Sequence, residues 1–372
     1  MTGKQKSERT KRVVVIGAGG NIGSHLVPHL ARMNNVAEVT LIDRDVYEAA
    51  NLSTQDIAAQ DVGRSKALVQ ARRLLRINPD LRVHGIAEAV ERVPLGQLRA
   101  DVILACLDTR RARAYVNRVA WRLGVPWIDT GVEGTALLAR VNVYVPAAEG
   151  PCLECAWDER DYQMLEQSYP CREFAEESFR TNAPSSLGAL AGSLQAIECS
   201  KVLSGQWEKA AVGQQVLIAA MDHKHYVTSY RRNPECRMDH ERWSIAKLGR
   251  DPRGISVGQA LTLAKRSNGD CSVGLRMEGS PFVSRLTCIG CGETKRLLRL
   301  QDRLRPGAQK CAVCGGRMMA AGRDLNERLE ADALPRKVEN RSLHSLGFRP
   351  GDLFSVGNRR GELHFELDGD ER

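Results

Sequence analysis

The sequence contains no long apolar run and no signal peptide, and these absences narrow the class of protein. Its longest apolar stretches have the length of a β-strand, well short of the ~20 residues that a membrane-spanning helix needs. Internal repeats and low-complexity tracts are also missing from the 372 residues. We therefore predict a cytoplasmic protein with one large and one smaller domain and no membrane association.

Cysteine, by contrast, is plentiful, with 11 residues that fall mostly in CxxC pairs. Such pairs suit zinc in a reducing compartment better than disulfides. The formal net charge is +9 at pH 7. We interpret this charge as a solvated surface, with a basic face for an acidic carrier protein or nucleic acid as the alternative.

A glycine-rich loop near the N-terminus has the setting that nucleotide binding requires. Residues 13–16 predict a strand, and a helical pattern extends to Arg32. The glycines between them are Gly17, Gly19, Gly20 and Gly23. Glycines let the backbone approach a phosphate closely, and a helix N-terminus favours its negative charge. This loop alone does not distinguish NAD, FAD and ATP enzymes.

Acidic and amide residues follow a second predicted strand at 39–42. Asp43 and Asp45 lie directly after it, and an acidic residue about twenty positions beyond the loop can bond a ribose hydroxyl. Asn51 and Gln55 come next. We include all four among the predicted nucleotide contacts.

A lysine and an aspartate then favour ATP over NAD. Lys66 can neutralise phosphate charge, and a buried strand predicted at 102–107 carries Asp108 at its C-terminal end, where it can bind magnesium. Arg113 and Asn117 follow at helical spacing. An NAD-dependent dehydrogenase needs neither the lysine nor the strand-end aspartate, so we predict ATP and Mg²⁺ as ligands.

These ordered motifs resemble those of the ubiquitin-activating (E1-like) adenylyltransferases, which include the ThiF and MoeB sulfur-carrier activators. The segments GAGGNIG, DRDV, NLSTQ and GRSKA at residues 17–23, 43–46, 51–55 and 63–67 resemble the family's glycine loop, its acidic motif, NLxRQ and GxxKA. The resemblance covers residues 10–245. It implies an α/β fold with a Rossmann-like doubly wound sheet, Lys66 as a phosphate ligand and Asp108 as the magnesium ligand.

Two family positions carry other residues. Thr54 replaces the arginine of NLxRQ, which contacts the outer phosphates in relatives, and Thr109 replaces the asparagine after the magnesium aspartate. Arg12, Arg64 and Arg110 are alternative sources of the missing charge, and the sequence does not choose among them.

The resemblance also implies a structural zinc site in the N-terminal domain. Its ligands would be Cys152, Cys155, Cys236 and His240, where relatives usually have a second CxxC pair. A Cys₃His tetrahedron is an accepted structural zinc site. The alternative is a set of free cysteines with a surface histidine.

A second candidate zinc site follows from spacing alone. Cys288, Cys291, Cys311 and Cys314 form C-x₂-C-x₁₉-C-x₂-C, which is typical of a zinc ribbon. Four thiolates leave no open position for water, so we expect a structural Zn²⁺. A ribbon can also bind nucleic acid, but basic and aromatic residues do not alternate here, and we expect no nucleic-acid partner.

The composition changes near residue 245 and suggests three parts. We predict a flexible basic leader at 1–11 and an adenylation domain at 12–245 with a crossover loop at about 158–184. Residues 246–372 would form a C-terminal domain that contains the ribbon, 288–314.

One of the four single cysteines is a candidate nucleophile. Cys106 and Cys199 lie in predicted core elements, and Cys271 has no supporting context. Cys171 lies in the polar crossover region, where the catalytic cysteine of E1-like relatives is found. An incidental loop cysteine is the alternative.

The resemblance thus implies activation of a small ubiquitin-like protein. Its C-terminal glycine would be adenylated, transferred to Cys171 as a thioester and passed to an E2-like conjugating enzyme, by a homodimer. A sulfur-carrier adenylyltransferase without the thioester, and a tRNA-modifying ATPase of the same superfamily, are alternatives. Antiviral defence is one pathway in which bacterial relatives act.

Overall fold

The computed structural model describes residues 10–166, 183–265, 272–358 and 361–368. Cys171, Cys271 and most of the predicted crossover loop lie outside these residues. The chain divides into two compact units. The first comprises Met1–Val90 and Leu98–Arg242, and the second comprises Glu91–Gln97 and Trp243–Arg372.

The first unit alternates strands and helices along most of its length. Its elements are β1 (Lys11–Ile16), α1 (Asn21–Leu30), β2 (Val36–Ile42), α2 (Lys66–Ile77), β3 (Arg82–Ile86), β4 (Val102–Ala105), α3 (Arg110–Leu123), β5 (Trp127–Glu133), β6 (Leu138–Tyr144), α4 (Glu159–Glu166), α5 (Ser185–Leu203), β7 (Gln214–Ala219) and β8 (Lys224–Ser229).

These strands form one eight-stranded sheet in the order β3-β2-β1-β4-β5-β6-β7-β8. The five strands from β3 to β5 are parallel, and β6, β7 and β8 continue the sheet in antiparallel sense. The predicted α/β class with a parallel-rich sheet is therefore confirmed. The strand order reverses at β1, between β2 and β4, and ligands of such sheets bind outside the carboxyl ends of the strands at this point.

Helix α5 packs against α1 and covers β4, β5 and β6. Small residues allow this close approach, because a Cβ at Gly192 would lie 3.0 Å from the Leu26 backbone nitrogen. The distance between packed helices depends on the side chains at their contact. The core beneath contains the apolar runs of the central strands, including Val13, Val15 and Leu41.

The second unit contains two smaller sheets. Its elements are β9 (Ile245–Lys247), α6 (Val257–Lys265), β10 (Gly274–Arg276), β11 (Phe282–Cys288), β12 (Thr294–Leu300), β13 (Met318–Met319), β14 (Leu325–Asn326), β15 (Leu329–Glu330), α7 (Arg336–Glu339), β16 (Leu353–Asn358) and β17 (Gly361–Glu366). One sheet has the order β15-β10-β16-β17-β9, and in the other β11 pairs with β12, β13 and β14.

A short excursion from the first half of the chain completes the second unit. Residues Glu91–Gln97 belong to it, and the Gly96 N–H donates to the carbonyl of Gly351 at 2.8 Å. Arg303 donates to the carbonyl of Arg92 and pairs with the buried Asp352 at 3.0 Å. In neither unit does the described chain include a helix long and apolar enough to cross a membrane.

Candidate nucleotide site and metal centres

Three neighbouring strand ends bring the predicted nucleotide contacts to one edge of the sheet. Ile16 of β1 lies in register with Ile42 of β2 and Ala105 of β4, and all three strands are parallel. The glycine loop, the first acidic motif and the segment that carries Asp108 therefore leave the sheet side by side. These three strands also surround the point at which the strand order reverses, where ligands of such sheets bind.

The loop after β1 requires glycine at particular positions. Gly17 has φ +78°, and a Cβ there would collide with the carbonyl oxygen of Cys106. A Cβ at Gly23 would collide with the Gly17 carbonyl. The turn into α1 is thus too tight for a side chain at either position.

Asp43 shapes this loop directly. One carboxylate oxygen accepts from the Gly19 N–H at 2.8 Å, and the other accepts from the Asp45 N–H at 3.0 Å. The side chain is only 8% exposed, and burial raises the pKa of Asp43 against the opposing effect of these two N–H groups and of Lys66. Both oxygens already have backbone partners, so a ribose contact from Asp43 stays a prediction.

Lys66 reaches the loop because two distant motifs pair with each other. Val46 and Ser65 form an antiparallel bridge, and the Lys66 N–H donates to the Asp45 carbonyl at 2.9 Å. The Lys66 side chain is 7% exposed and lies against Gly19, where a Cβ would collide with it. Its ammonium is 3.7 Å from an Asp45 carboxylate oxygen. A cation therefore stands directly beside the glycine loop.

Tyr47 was not identified from the sequence, although it supports this lysine. The Lys66 ammonium lies 5.6 Å from the centre of the Tyr47 ring, within the range of a cation–π interaction. The Tyr47 hydroxyl accepts from the Gln70 amide at 2.8 Å, and burial raises the pKa of Tyr47. Its position, two residues after Asp45, is the only sequence signal that could have indicated it.

The remaining predicted contacts lie around the same edge. Asn51 accepts the Glu48 N–H at 2.9 Å and so forms part of a short 3₁₀ turn. The side-chain oxygen of Gln55 is buried and has no hydrogen-bond partner among the described residues. Asp108 is exposed and lies three residues beyond Ala105, because β4 ends earlier than the predicted strand.

A buried ion-pair cluster holds the segment before Asp108. The fully buried carboxylate of Asp129 accepts from Arg113 at 2.9 Å and pairs with Arg140 at 2.8 Å. Arg113 also donates to the Leu107 carbonyl at 2.5 Å. The sequence drew attention to Arg113 only by its helical spacing, and it gave no reason to pair it with Asp129.

The first predicted zinc ligands converge in the structure. Ligand atoms of Cys152, Cys155, Cys236 and His240 all lie within 4.8 Å of one another. The Cys152 sulfur is 3.7 Å from that of Cys236 and 3.8 Å from that of Cys155. A tetrahedral zinc with bonds of about 2.3 Å separates its sulfurs by about 3.8 Å, so the set fits zinc. The hydrogen bond with Cys152 lowers the pKa of Cys155 to about 4.

Two side chains outside the set position these ligands. Trp121 contacts the His240 ring edge to face, with 4.7 Å between ring centres. The fully buried amide of Asn117 accepts the Leu153 N–H and donates to Glu154, each at 3.2 Å. Asn117 thus fixes the turn that contains the first cysteine pair, a role that outer partners of metal ligands commonly have.

The second cysteine set converges as well. Cys288, Cys291, Cys311 and Cys314 have sulfurs within 4.8 Å of one another, with 3.4 Å between Cys288 and Cys314 and 3.6 Å between Cys291 and Cys311. Backbone N–H groups of Cys291 and Gly290 lower the pKa of Cys288 to about 6, which favours the thiolate that binds metal. The geometry fits a tetrahedral zinc here too.

Comparison with known proteins identifies the family of this chain. A model of the ThiF family matches residues 1–238. The chain belongs to the ThiF family. It is 31% identical over 242 residues to a sulfur carrier protein adenylyltransferase of Thermus thermophilus, covering 63% of this chain and 84% of that relative.

Two further similarities have narrower coverage. Ubiquitin-like modifier-activating enzyme 5 of Rattus norvegicus is 30% identical over 162 residues, which is 40% of this chain and 40% of the rat protein. Among solved structures, Escherichia coli MccB with AMPCPP and MccA superposes with a TM-score of 0.51 at 26% identity, over 62% of this chain and 66% of that chain. This chain thus spans well under half of the rat protein.

Proposed function

We propose that this protein uses ATP to adenylate the C-terminal carboxylate of a small ubiquitin-like or sulfur-carrier protein. The observation that carries the proposal is the contact set of Gly19, Asp43 and Lys66 at the reversal point of the sheet. It places a largely buried cation beside the glycine loop that leads into α1, and a dehydrogenase has no use for that cation.

In this reaction a carboxylate oxygen of the carrier attacks the α-phosphorus of ATP. The bond from that phosphorus to the bridging oxygen of the β-phosphate breaks, and pyrophosphate leaves with the electron pair. The product, an acyl-adenylate, is a better acyl donor than a carboxylate. The protein contributes position and charge rather than covalent chemistry, as in other phosphoryl-transfer enzymes.

Each predicted contact has a place in this scheme. The glycine loop and Lys66 would hold the phosphates, and Asn51, Gln55 and the acidic motif would line the nucleoside. Asp108 would hold Mg²⁺, which supplies positive charge to the phosphates when bound. The ion pair between Arg113 and Asp129 would keep the Asp108 segment in place.

A second stage would use Cys171. Its thiolate would attack the carbonyl carbon of the adenylate, AMP would leave, and a thioester would form for transfer to an E2-like conjugating enzyme. This stage rests on the resemblance to E1-like proteins alone, since Cys171 lies outside the described residues.

One observation favours a sulfur-carrier activator that performs only the first stage. The match covers 84% of the Thermus sulfur-carrier enzyme but only 40% of the rat ubiquitin-like activator. Such a protein would pass the adenylate to a sulfur donor. Under either alternative we propose a homodimer, an adenylation domain at 12–245, a ribbon domain at 246–372 and one structural zinc at each cysteine set.

Pyrophosphate exchange into ATP tests the shared first stage. Asp108→Ala should abolish carrier-dependent exchange while leaving the fold intact, because the side chain is exposed. Asp80→Ala is the matched control, since Asp80 is also exposed but lies just before β3, at the opposite edge of the sheet. Exchange at the wild-type rate in Asp108→Ala would refute the assignment.

A further inference from the structure

The segment around the second cysteine set has an unusual charge balance. We call residues 285–324 the ribbon segment. Its exposed charged side chains include a single carboxylate, that of Glu293. The exposed cations are six: Lys295, Arg296, Arg305, Lys310, Arg317 and Arg323. None of the six forms a side-chain hydrogen bond or ion pair with another described residue.

Two of these cations are held directly opposite each other. Lys310 and Arg317 form an antiparallel bridge immediately outside the second cysteine pair. Like charges at directly opposed positions destabilise a sheet. Elsewhere in the same unit, arginines have local counter-ions, as Arg276 does in Glu362 at 2.6 Å. The ribbon segment therefore carries repulsion that an external anion would relieve.

Apolar side chains stand among these charges. Ile289 and Val313 occupy the two CxxC turns and are 70% and 72% exposed, and Met319 is 43% exposed. Exposed apolar residues inside a charged rim are typical of the centre of a protein interface. A phosphate backbone gains nothing from contact with them.

The ribbon segment also contains no aromatic residue. Single-stranded nucleic acid is usually bound by stacking its bases on aromatic side chains, and that platform is missing here. The combination of apolar turns, unpaired cations and missing aromatics favours a protein partner over a nucleic acid.

We propose that the ribbon segment is a docking surface for an acidic protein. The partner would cover Ile289 and Val313 with apolar side chains and place carboxylates opposite Lys310 and Arg317. Complementary charge of this kind steers association and selects against basic partners. The proposal does not depend on adenylation, because it concerns a surface of the second unit alone.

The test measures binding of a labelled synthetic peptide of alternating glutamate, aspartate and leucine to the full chain by fluorescence anisotropy. The double variant Lys310→Glu/Arg317→Glu should weaken binding about tenfold, which equals about 1.4 kcal/mol. The control Arg336→Glu/Lys337→Glu makes the same charge change on exposed residues of α7 and should change affinity little. Zinc content, measured for each variant, checks that the ribbon segment is intact.

A second pair of variants distinguishes protein from nucleic acid. The double variant Ile289→Ser/Val313→Ser should weaken binding of the peptide and leave the affinity for a short DNA duplex unchanged. A peptide with serine in place of leucine should bind weakly to the wild type. The proposal is overturned if the wild type does not bind the peptide, or if the α7 control loses as much affinity as Lys310→Glu/Arg317→Glu. It is also overturned if the wild type binds the duplex more tightly than the peptide. Normal pyrophosphate exchange by the same variants would separate that failure from a failure of the proposed function.

Discussion

The replacement Asp129→Asn should be among the most destabilising polar changes in the first unit. Its carboxylate is fully buried between Arg113 and Arg140. Removing one partner of a buried ion pair costs about 3–5 kcal/mol, because the remaining charge is left unpaired. Asparagine keeps one oxygen acceptor, and the two arginine side chains retain 15% and 26% exposure. We therefore expect a loss of about 2–4 kcal/mol in the free energy of unfolding.

Urea unfolding followed by tryptophan fluorescence measures this loss. Trp127 is buried in β5, two residues before Asp129, and its ring stacks on Tyr144 with 4.9 Å between centres. The control is Asp101→Asn, because Asp101 pairs with Lys11 at 2.9 Å but is 32% exposed, and surface pairs contribute about 1 kcal/mol or less. Equal losses in the two variants, or a loss below about 0.5 kcal/mol at Asp129, would refute the argument.

Three further outcomes are expected. Cys171→Ala should retain carrier-dependent pyrophosphate exchange but lose any reducible adduct with the carrier on a non-reducing gel. If the wild type forms no such adduct, the sulfur-carrier alternative is favoured. Elemental analysis should give two zinc ions per chain and one for Cys314→Ser, and a wild-type ratio of one would mean that one set is misassigned. Burial lowers the pKa of His25, so the unfolded chain takes up a proton on this histidine more readily than the folded chain does. The free energy of unfolding should therefore fall as pH drops below about 6.5. A pH dependence that is unchanged in His25→Gln would contradict this.

The central sheet was predictable because buried parallel strands are nearly continuous apolar runs. The run at 13–16 lies within β1, and the run at 39–42 lies within β2. The strand predicted at 102–107 is two residues too long, because Cys106 and Leu107 are apolar but already belong to the turn toward Asp108. Apolar character alone does not mark where a strand stops.

The contacts within the site were harder to predict than its members. The sequence identified Asp43 and Lys66, but the bridge of Val46 with Ser65 joins residues whose pairing has no local signal. Asp129 is a similar case, since an acidic residue inside an apolar strand becomes interpretable only once Arg113 and Arg140 are placed beside it. Long-range pairing of this kind depends on the folded topology and not on residue spacing.

The excursion Glu91–Gln97 makes folding of the second unit depend on an early part of the chain. These residues are made early, yet their partners Arg349 and Gly351 lie more than 250 positions later, so the second unit cannot finish folding until those later residues have been made. A fragment that starts at Trp243 would lack the Gly96 hydrogen bond and the Arg92 carbonyl that Arg303 contacts. Cleavage of the folded protein between Arg242 and Trp243 by limited proteolysis should therefore give two pieces that stay associated. A chain expressed from Trp243 onward should fold poorly.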